Sequence, residues 1–310
     1  MKIFHSIFDF NPAQKTYVTI GTFDGVHIGH QKIIEKLVAE AKKHQKKSVL
    51  LTFFPHPRMV LQKEASIKLI NTINEKATLL EKTGLDYLII HPFSKDFSRL
   101  NALDFVRDVL VNQLDTAKLI IGYDHHFGKN REGNIEQLTE YSYLYDFSVE
   151  EIPVQDIDEV AVSSTKIRRA LGNGDLKTAN QYLGYNFSLT GKVIKGEQLG
   201  NTIGFPTANI ALDEDYKLIP KTGAYVVKAE IDDGIVYGMM NIGIRPTISG
   251  EHQTIETHFF DFDENIYNKI ITIQLLSFIR EEQKFDSLDS LTKQLQNDKK
   301  ISLEFIQNNL

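Results

Sequence analysis

Tyr17-Val18-Thr19-Ile20-Gly21-Thr22-Phe23-Asp24-Gly25-Val26-His27-Ile28-Gly29-His30 decides how the first half of this chain folds. Its first four residues are an apolar run of the length of a buried strand, and glycines then turn the chain. From Gln31 to Lys43 the period changes. Ile33, Ile34, Leu37, Val38 and Ala41 recur at helical spacing, with Lys32, Glu35, Lys36 and Glu40 on the other face. Strand, turn and helix in this order set backbone N–H groups and the positive end of a helix dipole where phosphate is attracted. Gly21, Gly25 and Gly29 let a nucleotide approach the backbone, Phe23 and Asp24 lie within the turn, and His27 and His30 stand close to the helix start. Imidazoles there can donate to phosphate oxygens, which matters when charge builds on a phosphate under attack and on a leaving pyrophosphate. A lone His-x-x-His reads more simply as two surface histidines on a turn. Agreement among strand, glycines and helix favours the phosphate reading.

Outward from this stretch the same rhythm continues. Ser48 to Phe53, Tyr87 to Ile90 and Lys118 to Ile121 read as further strands. Ala102 to Leu114 reads as an amphipathic helix with Asn101 as N-cap and Leu103, Val106 and Leu110 inward. Strand and helix in alternation predict a Rossmann-like α/β fold, a parallel sheet with helices on its faces and ligands at the strands' carboxyl ends. After about Gly184 the period becomes two. Tyr225, Val227, Ala229 and Ile231 alternate with Val226, Lys228 and Glu230, and Asp233-Gly234 supplies a hairpin turn before Ile235 to Ile242. Glu256 to Phe262 and Ile270 to Ile279 continue the meander, and a last helix from about Ser287 places Leu288, Leu291 and Leu295 on one face. So many antiparallel strands need closure, which predicts a small antiparallel β-barrel with a terminal helix. The change of period, between Gly184 and Phe187, divides the chain into domains 1–184 and 185–310.

Composition agrees with two folded domains: 310 residues, 42% apolar and 25% charged. The absence of cysteine excludes disulfides and thiolate metal sites. Lys2, His5 and Asp9 interrupt the first ten residues, which therefore lack a signal-peptide core, and no run suits a membrane span. A soluble cytoplasmic protein is the expectation. A net charge of −6 argues against a nucleic-acid-coating surface, and composition does not define an oligomeric state.

Two further segments carry chemistry. Ser163-Ser164-Thr165-Lys166-Ile167-Arg168-Arg169 is a compact set of donors suited to a polyphosphate, and basic charge at a helix start is unfavourable unless an anion relieves it. Gly200-Asn201-Thr202-Ile203-Gly204-Phe205-Pro206-Thr207-Ala208-Asn209 ends in two hard oxygen donors. Thr207 and Asn209 share one face of an extended segment, a pair that suits Mg²⁺ completed by phosphate oxygens. Taken alone, the run is equally a strand entry with a turn-forming Pro-Thr pair.

The first motif resembles the His-x-Gly-His signature of the nucleotidyltransferase superfamily. Thr52-Phe53-Phe54-Pro55-His56-Pro57, Ile121-Gly122-Tyr123-Asp124 through Phe127-Gly128, and Ser163 to Arg168 look like successive motifs of bacterial bifunctional riboflavin kinase/FMN adenylyltransferases. The run at Gly204 to Asn209 resembles the Gly-x-Pro-Thr-Ala-Asn motif of riboflavin kinases. Asn241 to Thr247, Glu256-Thr257-His258 and Arg280 to Phe285 follow in order, so the resemblance covers nearly the whole chain.

The resemblance implies riboflavin phosphorylation to FMN by the second domain and FMN adenylylation to FAD by the first, with ATP and Mg²⁺. It implies that His27 and His30 contact ATP phosphates, and that Ser164, Thr165 and Arg168 close over the triphosphate. It implies flavin contacts from His56, Pro57, Asp124 and His125 in the first domain and from Arg280 and Phe285 in the second. Thr207 and Asn209 would hold Mg²⁺-ATP beside Gly204, with Glu256 as general base for the ribityl hydroxyl; without the resemblance, Glu256 is not separable from Glu251 or Asp261. One departure is that His125-His126 follow Asp124 where the family usually carries an aromatic residue, which bears on the FMN contact.

Overall fold

The computed structural model describes residues 1–62, 67–122, 126–153, 162–196, 199–247 and 250–309. Asp124 and His125 therefore lie outside the described residues. The chain forms two compact units, Met1–Ser164 and Thr165–Leu310. This division falls after the first residue of a helix, Ser164–Asn173, and ahead of a second, Leu176–Leu183, whereas the change of period at Gly184 follows both.

In the first unit, strands β1 (Lys2–Phe4) and β2 (Thr16–Ile20) lead to helix α1 (Ile28–Lys43), then β3 (Lys47–Phe53) and α2 (Pro57–Leu61). Helix α3 (Ile73–Glu81), strand β4 (Tyr87–His91) and helix α4 follow; α4 begins as Ala102–Asp104 and widens to a π-helix at Phe105–Gln113. Strand β5 (Thr116–Gly122), helix α5 (Ile135–Tyr145) and strand β6 (Ser148–Ile152) complete it. The sheet runs β1-β4-β3-β2-β5-β6 with every neighbouring pair parallel. Chain order reverses between β2 and β5, and such switch points are where open α/β sheets bind ligands. The glycine turn leaves β2 at that place.

Alternation along the strands divides the core between two faces. Val18, Val49, Leu119 and Ile121 pack against Val106, Leu110 and Leu138, while Tyr17, Leu50, Leu88 and Ile120 meet Ile34, Leu37 and Leu80. Asn101 caps α4 by accepting the Asp104 N–H at 2.8 Å. Leu103, expected inward, is exposed. The buried stripe is Ala102, Phe105, Val106, Val109 and Leu110, and Ala102 holds the in-phase position one residue earlier.

The second unit opens with α6 (Ser164–Asn173) and α7 (Leu176–Leu183), followed by β7 (Ser188–Ile194), the short α8 (Leu199–Thr202) and β8 (Ala208–Ala211). Strands β9 (Gly223–Ile231), β10 (Gly234–Thr247), β11 (Gly250–Phe259) and β12 (Ile270–Arg280) precede the terminal helix α9 (Leu288–Asn309). The six strands close into an antiparallel barrel, β10-β11-β8-β7-β12-β9, which leaves no free sheet edge. The β9–β10 turn differs from the expected Asp233-Gly234. Ile231 pairs with Gly234, so Asp232 and Asp233 form the loop, both with positive φ (48° and 65°) as a two-residue hairpin turn requires. Leu288 is exposed at the entry to α9, while Leu295 and Ile306 pack toward Phe205, Met239 and Phe260.

Candidate active sites

The turn after β2 is tightly held. Gly21 donates its N–H to the Leu51 carbonyl at 3.1 Å. The Thr22 carbonyl accepts from the Thr52 hydroxyl (3.2 Å) and from the Lys76 ammonium (2.7 Å). Gly25 takes φ 86°, where a side chain is strained, and Phe23 and Val26 are also left-handed at 45° and 36°. A β-branched residue at such an angle is uncommon, and strained backbone of this kind gathers at functional loops. The Asp24 carboxylate accepts the Ile70 N–H (3.0 and 3.3 Å), and the Asp24 carbonyl accepts the Ser164 hydroxyl at 2.9 Å. Phe23 is buried with its ring 5.0 Å from that of His30.

His27 caps α1, accepting the His30 N–H at its own Nδ1 (3.3 Å). A neutral ring that accepts at Nδ1 carries its proton on Nε2, which leaves an Nε2–H donor. Helix α1 starts three residues earlier than the apolar period indicates, so Gly29 and His30 lie in its first turn. The two imidazoles stack at 3.5 Å with 15° between their planes. Burial lowers the His27 pKa to about 4. His30 falls well below its ordinary value through burial and the nearby charges of His27 and Lys76. Both rings are thus neutral donors at neutral pH. His30 Nδ1 is buried with no hydrogen-bond partner among the described residues. His56 follows β3 as the N-cap of α2, accepting the Arg58 N–H at 3.1 Å, and Pro57 takes the first helical position. Thr165 and Arg168 stand on the first turns of α6, whose buried residues are Ile167, Ala170 and Leu171.

In the second unit a cavity of about 250 Å³ gathers Thr207, Asn209, Glu256, Arg280 and Phe285, all five of them singled out from sequence. Strand register explains the meeting. Glu256 of β11 is paired with Asn209 of β8 on one side and Asn241 of β10 on the other. Gly204, with φ 78°, turns the chain into Phe205-Pro206-Thr207, and Gly204 itself is not among the cavity's lining residues. The Arg280 guanidinium is held by Asp298 of α9 through bonds of 2.8–3.0 Å and donates to the Glu281 carbonyl, while facing the Phe285 ring at 5.8 Å.

Two residues escaped the sequence reading, and a third, His258, stood there only within a motif and without a role. His258 lines the cavity and its Nδ1 lies 2.8 Å from the Pro206 carbonyl, which makes that nitrogen the donor and ties the 200–207 segment to β11. Asp298 is buried and falls in phase with Leu291 and Leu295, a carboxylate on an apolar stripe. Lys76 is likewise in phase with Ile73, Ala77 and Leu80 on α3. A charge at a core position of a helix was the available signal.

The donor set of the cavity is hydroxyl, amide and carboxylate, hard oxygens that fit Mg²⁺ with phosphate completing the shell. Among the described residues no group of three or more His, Asp or Glu could hold a metal without such help.

An α/β unit with a glycine turn at its switch point, joined to a chain segment that closes as an antiparallel barrel, defines a two-unit class with one candidate site in each unit. The FAD synthetase family model matches residues 10–166 and the riboflavin kinase family model residues 183–306. Bifunctional riboflavin kinase/FMN adenylyltransferases are similar throughout. That of Haemophilus influenzae is 39% identical over 93% of each chain, and that of Escherichia coli 34% over 98% of each. The chain belongs to the bifunctional riboflavin kinase/FMN adenylyltransferase family. A solved structure from Streptococcus pneumoniae, described as a macrolide-efflux protein, is 30% identical with a TM-score of 0.88, covering 97% of this chain and 98% of its own. In the present chain no described helix is long and apolar enough to cross a membrane.

Proposed function

We propose that this enzyme makes both flavin coenzymes, phosphorylating riboflavin to FMN in its barrel and adenylylating FMN to FAD in its α/β unit. The observation that carries this reading is the presence of both family domains, in that order, in one chain. ATP is the co-substrate of each reaction, and the partners are small molecules rather than nucleic acid or membrane. The functional boundary is placed at Gly184, so that Ser164, Thr165 and Arg168 serve the adenylyltransferase half, and the location is cytoplasmic.

In the kinase reaction the primary ribityl oxygen attacks the γ-phosphorus of ATP and ADP leaves. Glu256 takes the hydroxyl proton as the new P–O bond forms. Thr207 and Asn209 would hold the nucleotide's Mg²⁺, which would neutralise phosphate charge when bound. Arg280 and Phe285 receive the flavin, the aromatic ring by packing on the ring system. The pairing of Glu256 between two asparagine-bearing strands supports this assignment, because their amides can orient its carboxylate.

In the adenylylation an FMN phosphate oxygen attacks the α-phosphorus of ATP and pyrophosphate leaves. His27 and His30 donate to the phosphates, and the turn Gly21 to Gly25 with Gly29 lets the nucleotide approach the backbone. Phe23 and Asp24 set the shape of that turn through the contacts described above. Ser164, Thr165 and Arg168 bind the triphosphate, and His56, Pro57, Asp124 and His125 receive FMN.

The test is a time course of purified protein with riboflavin, ATP and Mg²⁺, its flavins separated by chromatography. FMN first and FAD following is the expected result. Turnover of neither riboflavin nor supplied FMN overturns the reading.

A further inference from the structure

Lys76 is an unusual residue to find inside a sheet protein. It is 3% exposed, and its helix otherwise turns Ile73, Ala77 and Leu80 inward at the same phase. An ammonium offers three N–H donors, yet among the described residues its one hydrogen-bond acceptor is the Thr22 carbonyl at 2.7 Å. The ionisable groups within its electrostatic reach are Asp24 of the glycine turn and His30 of α1. Asp24 already accepts the Ile70 N–H, and His30 is held neutral. A buried, incompletely satisfied ammonium is costly, and an apolar side chain of the same length would suit the fold at least as well. An anion would offset this cost. A polyphosphate seated on the turn would supply acceptors and opposite charge together.

Resting on the adenylyltransferase reading above, we propose that Lys76 is a positioning residue for adenylyl transfer, its ammonium fixing the Thr22 carbonyl and supplying the positive charge beneath the glycine turn and His30 that receives the nucleotide's polyphosphate. Burial brings its pKa down to about 8, against the raising effect of Asp24. The charge is therefore lost a little above neutrality, and FAD formation acquires an alkaline limb there. Lys76 belongs to the first unit, so phosphorylation of riboflavin by the same molecules is an internal control for intact protein.

The experiment compares full-length wild type, Lys76→Met and Lys76→Arg in FAD formation from FMN and ATP, with pH profiles and thermal unfolding. Lys76→Met is expected to lower kcat/KM for FAD formation at least tenfold with a raised KM for ATP. It should leave FMN formation unchanged and the melting temperature unchanged or higher. Lys76→Arg should recover part of the activity and lose the limb near pH 8, because a guanidinium stays charged. Wild-type FAD kinetics and pH profile in Lys76→Met overturn the inference, as does a melting temperature lowered without loss of FAD formation per folded molecule. Where Lys76→Met fails to fold, Lys76→Arg decides, and an unchanged alkaline limb in it overturns the inference. Absence of FAD formation in the wild type removes the adenylyltransferase reading itself, whereas an active wild type with an equally active Lys76→Met removes only the role of Lys76.

Discussion

His27 accepts the His30 amide proton at Nδ1, and that one bond decides which ring nitrogen is left as a donor. Its burial carries a stability consequence with a definite sign. The folded pKa is about 4, against an ordinary value of 6.5. Between these values the unfolded chain binds more protons, so stability is fully present above about pH 6.5 and falls as the pH drops toward 4. A displacement of this size corresponds to a few kcal/mol at most, roughly 1.4 kcal/mol for each pH unit of the window. Urea unfolding of the first unit should show a lower midpoint at pH 4.5 than at pH 7, and His27→Ala should narrow the gap. An undiminished gap in that variant would assign the effect to other groups. The histidine motif itself was legible because the glycines, the strand and the helix are all local. Lys76 was not, since its approach to Thr22 joins residues from two separate elements that sequence period alone does not bring together.

Helix α9 shows what an element adds beyond its residues. Leu291 and Leu295 line the cavity, and one turn further on the same face presents Asp298 to Arg280. Gln294 supports the carboxylate at 2.8 Å, and the Ser302 hydroxyl donates to the Asp298 carbonyl at 2.7 Å. Asp298→Ala leaves a partly exposed guanidinium short of its partner, a loss on the order of 1–3 kcal/mol because solvent reaches the cation. Denaturant unfolding of the second unit should register it. The riboflavin KM should rise severalfold, while FAD formation from supplied FMN persists; an unchanged unfolding midpoint and an unchanged KM would show the pair to be idle. Sequence period found this helix and its leucines but not its acid, because an isolated Asp on an apolar stripe also reads as a break in the stripe. The hairpin at Asp232 and Asp233 was displaced by one residue for a related reason: aspartate tolerates positive φ, so glycine was not needed inside the loop.

At the scale of the molecule, the glycine turn with His27 and His30 belongs to the first unit, and every residue lining the cavity belongs to the second. His27→Ala should therefore reduce FAD formation by about 10²–10³-fold, the usual effect of removing one transition-state donor, and spare FMN formation. Glu256→Gln should do the reverse. Chromatography of the two flavins reads both, and loss of both activities in either folded variant would contradict separate sites. The two architectures were legible because each rests on a period repeated over many residues. The choice of Glu256 over Glu251 or Asp261 was not, because it depends on the pairing of β11 with β8 and β10, which only barrel closure settles. That closure also has a temporal side. The cavity takes Leu291, Leu295 and Asp298 from the 22-residue helix that a ribosome makes after all of the strands. During synthesis the α/β unit can fold while the barrel is still emerging, and the cavity is the last part of the described chain to be assembled. A chain that stopped short of Leu288 would thus keep an intact glycine turn and carry an unfinished cavity.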